Sequence, residues 1–539
     1  MRWVTVEQMK DLEKQANESG LSYEKMMENA GTKLAETIHV RYAHVPGRAI
    51  IGLIGSGNNG GDALVALNWL AERGWICTAL LVKTRVDGDP LLEKFLKKGG
   101  RAIALQQVKT VQALRSLLAE HGFILDGIIG TGIKLPLKED IALTLANIKN
   151  ALQKQIVIAV DCPSGIDCDS GEAAKETLPA SLTVCMEAVK AGMLKVPAYE
   201  LCGEIVVVPI GLTGKLAEKK SDNFVINARW VAGHLPTRRL DGHKKTFGTV
   251  LVVGGSANYL GAPMFSGMAA YRCGAGLVTL AAPRIVQLTM AGALPEATWY
   301  ILDDENGVIS EESAPLLFEP MKTANCMVVG PGIGREETTK KFLSRWLLQQ
   351  DANKQNGSFG FVPNVSTKTK QNVAYPPMVI DADALRWLSG ETNWSQNKAL
   401  KLVLTPHVGE MSALTGLSPE EIQQNREAVA AEYARMWGQV VVLKGAFTVV
   451  AAPSGQVAIV PVANSALAKA GSGDALSGII AALIAQGSSA FEAACAGAWI
   501  HARAGEVVAE GQGNEFSLLV REIINDLPRV FAELNKITA

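Results

Sequence analysis

Residues 48–82, RAIIGLIGSGNNGGDALVALNWLAERGWICTALLV, decide the fold class. An apolar run ends in glycines, a helical stretch follows over about Ala63–Arg73, and a second apolar run, WICTALLV, closes the unit. Strand, glycine loop, helix, strand is the pattern of a parallel βαβ unit, whose short apolar runs are strands buried on both faces. The alternation continues downstream. FILDGIIGTG (123–132) and QIVIAVDCPSG (155–165) each end in Gly, Asp or Ser, and GEIVVVPIGL (203–212) reads as the last strand of this half. Upstream, roughly the first 45 residues read as helices. Thr5 with Gln8 suggests a capping box, and Met26, Met27, Ala30, Leu34 and Ile38 recur at helical spacing, a stripe for core packing.

The polar stretch Thr213–Asp222, TGKLAEKKSD, reads as a linker. Beyond it TVLVVGGSANYLGAP (249–263) opens a second α/β half, which runs through GLVTLAAP, CMVVGPGIG, PMVIDADAL, KLVLTPHVGEM and QVVVLKGAFTVVAAP to AGSGDALSGIIAALIA. The halves share a style but no fixed period, which excludes a solenoid. Two α/β domains are expected, over residues 1–220 and 223–539. Gln349–Pro377, rich in Asn, Lys, Ser and Thr, is out of character and reads as a mobile insertion.

Composition agrees. A chain of 539 residues exceeds one ordinary core, and with 48% hydrophobic residues it is not disordered. Its 52 Lys+Arg against 53 Asp+Glu leave a charge of −1, so the basic surface that nucleic acid demands is missing. Eight cysteines, at 77, 162, 168, 185, 202, 273, 326 and 495, form no C-x-x-C pair and suit a reducing compartment. The N-terminus lacks the apolar core of a signal peptide, and the longest apolar stretch, Ala475–Ala485, is too short to span a bilayer. A cytoplasmic protein without a membrane partner is expected. The 52 glycines exceed the usual ~7%, and their positions point to the chemistry.

In the first half, Gly55-Ser-Gly57-Asn-Asn-Gly60 satisfies G-x-G-x-x-G between strand and helix, a loop whose backbone N–H groups can approach an anion. A dinucleotide fingerprint also needs an acid about 20 residues on, to hold the ribose 2′-hydroxyl. Lys83 and Arg85 stand there instead, which disfavours an ordinary NAD dehydrogenase and leaves room for a 2′-phosphate. Asp126, Asp161 and Ser164 fall at later strand ends, which converge at the switch point of a parallel sheet. Asn59, Asp126 and Ser164 form a set of hard oxygen ligands for a cation, or else serve Asx turns and helix caps.

In their order GSGNNGGD, DGIIGTG and VDCPSGID resemble the epimerase domain of the bifunctional NAD(P)H-hydrate repair enzymes, over roughly residues 1–220. The resemblance implies a Rossmann-like three-layer αβα domain that interconverts the R and S forms of cofactors hydrated at C6. It implies potassium on Asn59, Asp126 and Ser164. It also implies hydrate contacts from Asn58, Asn59, Gly60, Gly61 and Asp62, from Gly130, Thr131, Gly132, Ile133, Lys134, Leu135 and Pro136, and from Asp161. Ala63 departs from the family's usual glycine, which puts the tightest part of the loop in doubt. C6 of the hydrate is a hemiaminal carbon, and its inversion needs a proton shuttle. Asp161 is the first candidate and Lys83 the second, the other reading of Asp161 being loop structure alone.

In the second half NSALAKAGSGDALSG (464–478) runs into an apolar helix. Backbone N–H groups of Gly471, Ser472 and Gly473 can stabilise charge on a transferring phosphoryl group, and Asp474 can take the proton of an attacking hydroxyl. The bland reading is a glycine turn with Asp474 as a cap. The Walker pattern is absent. This ending is similar to that of ribokinase-like kinases. VVGGSANYLGAP (252–263), YRCGAGLVTLAAP (271–283), VVGPGIG (328–334), VIDADAL (379–385) and LTPHVGEM (404–411) resemble one branch, the ADP- or ATP-dependent NAD(P)H-hydrate dehydratases, over about residues 225–535.

The resemblance implies a ribokinase-like αβα domain in which Ala262, Gly334, His407 and Asp474 contact the S hydrate. The adenine nucleotide is then lined by Lys444, Gly445, Ala446, Phe447 and Thr448, and by Asn464, Ser465, Ala466, Leu467, Ala468, Lys469, Ala470, Gly471, Ser472 and Gly473. Ala470 stands where many members have glycine. His407 also reads as an ordinary structural histidine, and Asp381 and Asp383 either lie near the nucleotide or support turns. The implied activity is epimerisation followed by dehydration of the S form, with ADP converted to AMP and phosphate, Mg2+ on the phosphates, and Asp474 and Asp161 as catalytic residues. A homo-oligomer is expected. The alternative is a ribokinase-like small-molecule kinase fused to a nucleotide-binding regulatory domain, which would leave a stable phosphorylated product.

Overall fold

The structure, a computed structural model, describes residues 1–86, 88–212, 222–348 and 375–538. The linker expected over Thr213–Asp222 lies outside the described residues up to residue 221, as do residues 349–374 of the expected insertion. The chain divides into two compact units, Met1–Asn223 and Phe224–Ala539.

The first unit is built on seven strands: β1 Ala49–Ile54, β2 Ile76–Leu81, β3 Arg101–Ala104, β4 Phe123–Gly127, β5 Ile156–Val160, β6 Leu182–Met186 and β7 Glu204–Val208. They run in the order β3-β2-β1-β4-β5-β6-β7, all parallel. The order reverses at β1 and β4, and ligands of such sheets bind in the crevice beyond the carboxyl ends at that point. Of the helices, α1 (Val6–Glu18) begins at the Thr5–Gln8 capping box. In α2 (Tyr23–Tyr42) Met26, Ala30, Leu34 and Ile38 are buried, as their spacing predicts, while Met27 is only half-buried. After β1 the chain enters α3 (Asn58–Ala71) directly, with Gly57 as its cap.

Three details differ from the sequence reading. Trp3–Val4 is not helical but pairs in parallel with Val189–Lys190. β3 and β6 were not anticipated. β3 is a short edge strand starting at an exposed arginine, and β6 is followed at once by Glu187 and Lys190, so neither shows the clean flanks of its neighbours. Ala63, the departure from the family's glycine, lies inside α3 with its side chain wholly buried, so it asks nothing unusual of the loop.

The second unit carries a ten-stranded sheet: β8 Asn223–Val225, β9 Thr249–Val253, β10 Leu277–Pro283, β11 Thr298–Leu302, β12 Cys326–Val329, β13 Met378–Ile380, β14 Leu402–Leu404, β15 Val440–Leu443, β16 Val449–Ala451 and β17 Val457–Ile459. Their order is β8-β17-β16-β15-β14-β13-β12-β9-β10-β11. Pairing is parallel from β11 through β15 and antiparallel at β15–β16 and β16–β17. Here the order reverses at β9 and β12. The helices that matter to the site are α7 (Ala262–Arg272), α8 (Asp383–Gly390), α9 (Val408–Thr415) and α10 (Ser472–Ala485). The apolar run that precedes Gln486 is thus α10, whose residues are almost all buried in the core between sheet and neighbouring helices. Among the described residues no helix is long and apolar enough to cross a membrane.

Candidate active sites

A cavity of about 1340 Å3 opens at the switch point of the first unit. Its walls include Gly55, Ser56, Gly57, Asn58, Asn59 and Asp62 from the loop and first turn after β1. Ile128, Ile129, Gly130, Thr131 and Gly132 follow β4, and Asp161 follows β5. The structure therefore gathers most of the expected hydrate-contact residues in one place. Gly60, Gly61 and Ile133–Pro136 do not line the cavity. Arg85 braces the glycine loop from below: its Nη1 donates to the Gly55 carbonyl at 2.7 Å and its Nε to Asp89 at 2.6 Å. These bonds tie its Nε and Nη1 to the loop and to Asp89. Lys83 stands on the cavity wall, 3.3 Å from Asp140.

Asn59, Asp126 and Ser164 converge on the backbone after β4. Asn59 Nδ2 donates to the carbonyls of Val160 (2.9 Å) and Ile129 (3.2 Å). Asp126 is wholly buried and accepts from the Ser164 amide at 2.8 Å and the Ser164 hydroxyl at 2.6 Å. Burial pushes its carboxyl above the usual range in spite of these bonds, and no cationic side chain among the described residues pairs with it. A buried carboxylate balanced only by neutral donors, beside an amide and a hydroxyl, fits a hard monovalent or divalent cation.

Asp161 adopts φ +64°, and its Oδ1 accepts from the Met186 amide at 2.9 Å and from Lys190 Nζ. Lys190, which the sequence reading passed over, has no exposed surface, and its ammonium also donates to the carbonyls of Met186 and Ala188, both at 3.2 Å. Burial alone would strip its proton, but Asp161 holds the charge and lifts the ammonium above its ordinary range.

In the second unit the glycine loop leads straight into α10. Gly471 caps the helix at φ +89°, a conformation that costs a residue with a Cβ about 1–2 kcal/mol. Ala470, by contrast, is not at positive φ, so its replacement of glycine is harmless to the backbone. Asp474 sits in the first turn of α10. Burial pushes its carboxyl up to about 8, repulsion from Asp381 adds to this, and Lys444 pulls the other way.

Asp381, which the sequence left between two readings, is the hub beneath that turn. It is buried and accepts from Lys444 Nζ (2.7 Å), Thr405 Oγ1 (2.8 Å) and Ser477 Oγ (2.8 Å). Burial would raise its carboxyl, but Lys444 and these hydrogen bonds bring it below the usual range. Lys444 lies directly under Gly473, where a Cβ would come within 3.2 Å of its Nζ. Asp383 accepts from Arg335 Nε at 2.6 Å. His407 caps α9: its Nδ1 accepts from the Gly409 and Glu410 amides at 2.9 and 3.2 Å, and the His407 amide donates to Glu410 Oε2 at 2.8 Å. Glu410 also lies 3.7 Å from Lys444.

Ala262 opens α7, and one helical turn on, Ser266 Oγ donates to the Asp474 carbonyl at 2.8 Å. Gly334, at φ +92°, ends the loop after β12. Lys444–Thr448 follows β15, with Gly445 and Phe447 both at positive φ and Thr448 Oγ1 donating to the Gly445 carbonyl. Asn464–Ala470 forms the wall before the helix, where Asn464 caps its own turn, Ser465 bonds Glu515 and Lys469 donates to the Phe516 carbonyl. Ser472 meets the buried His501, whose imidazole burial and the Lys444 charge drive down to about 4.

Comparison with known proteins matches both units. A family model described as NAD(P)H-hydrate dehydratase covers residues 250–529, and one described as YjeF-related protein N-terminus covers residues 23–192. A bifunctional NAD(P)H-hydrate repair enzyme of Moorella thermoacetica is 35% identical over 518 residues, 95% of this chain and 93% of that one. One of Escherichia coli is 30% identical over 512 residues, 95% and 90% of the two chains. A crystal structure of the ADP/ATP-dependent NAD(P)H-hydrate dehydratase of Bacillus subtilis is 27% identical, with a TM-score of 0.46, over 57% of this chain and 98% of its own.

Proposed function

The chain belongs to the family of bifunctional NAD(P)H-hydrate repair enzymes, and we propose that its two units divide the repair between them. The first interconverts the R and S hydrates. The second dehydrates the S form, turning ADP into AMP and phosphate. The observation that carries this reading is the constellation at the start of α10: Asp474 in the first turn, amides of Gly471–Gly473 beside it, and the Lys444–Asp381 pair beneath.

The chemistry follows from the parts. The C6 hydroxyl of the S hydrate attacks the terminal phosphoryl group while Asp474 accepts its proton. Backbone N–H groups at the helix start hold the charge that builds on the phosphoryl oxygens. Lys444, kept cationic by Asp381, faces the same charge. The phosphorylated C6–O bond then breaks, helped by the ring-nitrogen lone pair, and loss of a proton restores the dihydronicotinamide. Asp381 has its oxygens committed to Lys444, Thr405 and Ser477, and Asp383 is held by Arg335, which fits magnesium brought on the phosphates rather than caged by carboxylates. Magnesium so bound adds to the neutralisation of phosphate charge.

In the first unit, Asn59, Asp126 and Ser164 are the proposed potassium ligands, where the ion would balance the buried Asp126 charge and order the loop that meets the hydrate. The eight cysteines, all free and buried, support a cytoplasmic setting. Purified S hydrate of NADH, incubated with the full chain and ADP, tests the reading. Recovery of NADH absorbance with AMP and phosphate in equal amounts is expected. No recovery with ADP or ATP contradicts it, and a stable phosphorylated product with ATP favours a small-molecule kinase.

A further inference from the structure

Among the ionisable groups that line the cavity of the first unit, Glu13, Asp62 and Asp161 form one electrostatic cluster, with Lys190 buried behind Asp161. Asp161 comes from the loop after β5, Asp62 from the first turn of α3, and Glu13 from α1; all three line the cavity. Lys190 has spent its three protons on Asp161, Met186 and Ala188, so it has none to exchange with a substrate. Asp161 Oδ1 is taken by Lys190 and Met186, while Oδ2 has no hydrogen-bond partner among the described residues. Asp62 is nine-tenths buried, and its carboxyl makes no side-chain hydrogen bond among the described residues, although it borders open space. A buried, unbonded carboxyl on a cavity wall is costly unless it meets a ligand or keeps its proton.

We propose that Asp62 is the general acid of the epimerase unit, that the Asp161 carboxylate is its partner base, and that Lys190 is the positioning residue that aims Asp161. The assignment rests on the epimerase reading of this unit. In the first half-reaction the carboxyl proton of Asp62 passes to the C6 hydroxyl oxygen. The C6–O bond breaks with its electron pair on oxygen, water departs, and the ring-nitrogen lone pair makes a C6=N iminium. In the second half a water adds to the other face of C6, gives a proton to Asp161, and the nitrogen recovers its pair. One water leaves and one enters, nothing is oxidised or reduced, and the proton returns from Asp161 to Asp62 through solvent.

The surroundings support this division. Burial, then the charges of Asp161 and Glu13, keep Asp62 protonated well above the usual carboxylate range, while Lys190 opposes them. Burial and Asp161 also raise Glu13, which Lys190 and Lys10 counter. A protonated carboxyl and a lysine-paired carboxylate on one cavity wall let a single site run acid and base chemistry together.

The test uses the full chain and chromatographically pure R hydrate of NADH, without nucleotide, following appearance of the S form. Asp62→Asn is expected to slow epimerisation by about 10²–10⁴-fold. The parent enzyme should lose kcat at alkaline pH, where Asp62 loses its proton, and the variant should not. Lys190→Met should lower kcat far more than it alters KM, and Lys190→Arg should restore part of the loss. The assignment is overturned by an Asp62→Asn variant that keeps its rate or keeps the alkaline fall. A Lys190→Met variant with normal kcat overturns the positioning role. A parent chain that leaves pure R hydrate unchanged refutes the epimerase reading itself, whatever the variants do.

Discussion

Asp381 and Asp474 lie in one site yet are displaced in opposite directions: burial raises both, but at Asp381 Lys444, with Thr405 and Ser477, outweighs it. Lys444 touches Asp381 and holds it ionised, whereas Asp474 feels the resulting negative charge more than it feels Lys444. A base pushed up to about 8 is effective only when deprotonated, so dehydration should speed up as pH rises through about 8 and level off above it. A kcat profile measured on S hydrate with saturating ADP reads this directly. Asp474→Asn should cut dehydration by about 10²–10⁴-fold and leave epimerisation of R hydrate intact; equal loss of both activities would refute the division of labour. At this scale legibility follows sequence distance. Asp474 announces itself because its glycines are adjacent. The Asp381–Lys444 pair spans 63 positions and is made only by the sheet. Lys190 sits at the end of an apolar run, and nothing near it in the chain foretells that Asp161, 29 positions back, will be its partner.

At the scale of elements, α10 is positioned by close contact with α7. A Cβ on Gly478 would come within 2.1 Å of the Ser266 carbonyl oxygen, on the same turn of α7 whose Ser266 hydroxyl holds the Asp474 carbonyl. Gly478→Ala must therefore push the two helices apart. It should cost the second unit about 1–3 kcal/mol and lower dehydratase activity while sparing epimerase activity. Denaturant unfolding followed by both activities would show it, and an unchanged midpoint would contradict the packing argument. The same glycine was visible in the sequence only as part of an apolar helix. Elements with strong flanks, such as β1 with its glycine loop, were readable from local pattern. β3 and β6 were not, because an edge strand beginning at Arg101 and a strand running into Glu187 lack that pattern and owe their existence to neighbours already in the sheet.

At the scale of the whole molecule, two α/β units each carry a candidate site where a glycine-rich loop after a strand enters a helix, and in the proposed function the loop amides, with Lys444 in the second unit, would meet the anionic ligands. Such amide-lined helix starts would let a chain with a net charge of −1 hold phosphate-rich substrates without a basic surface. If the units act on a shared, freely exchanging substrate, a chain lacking Asp474 and a chain lacking Asp161 should complement when mixed. Repair of R hydrate by the mixture, where neither variant alone suffices, is the expected outcome; no repair by the mixture would contradict independent action. The central claim is that one chain clears both epimers. An equal mixture of R and S NADH hydrate, given the parent chain and ADP, tests it through the amplitude of restored NADH absorbance. Recovery of nearly the whole mixture is predicted, with the Asp161→Asn chain stalling once the S half is consumed. Recovery by the parent chain that stops at the S half, or fails altogether, would contradict the account.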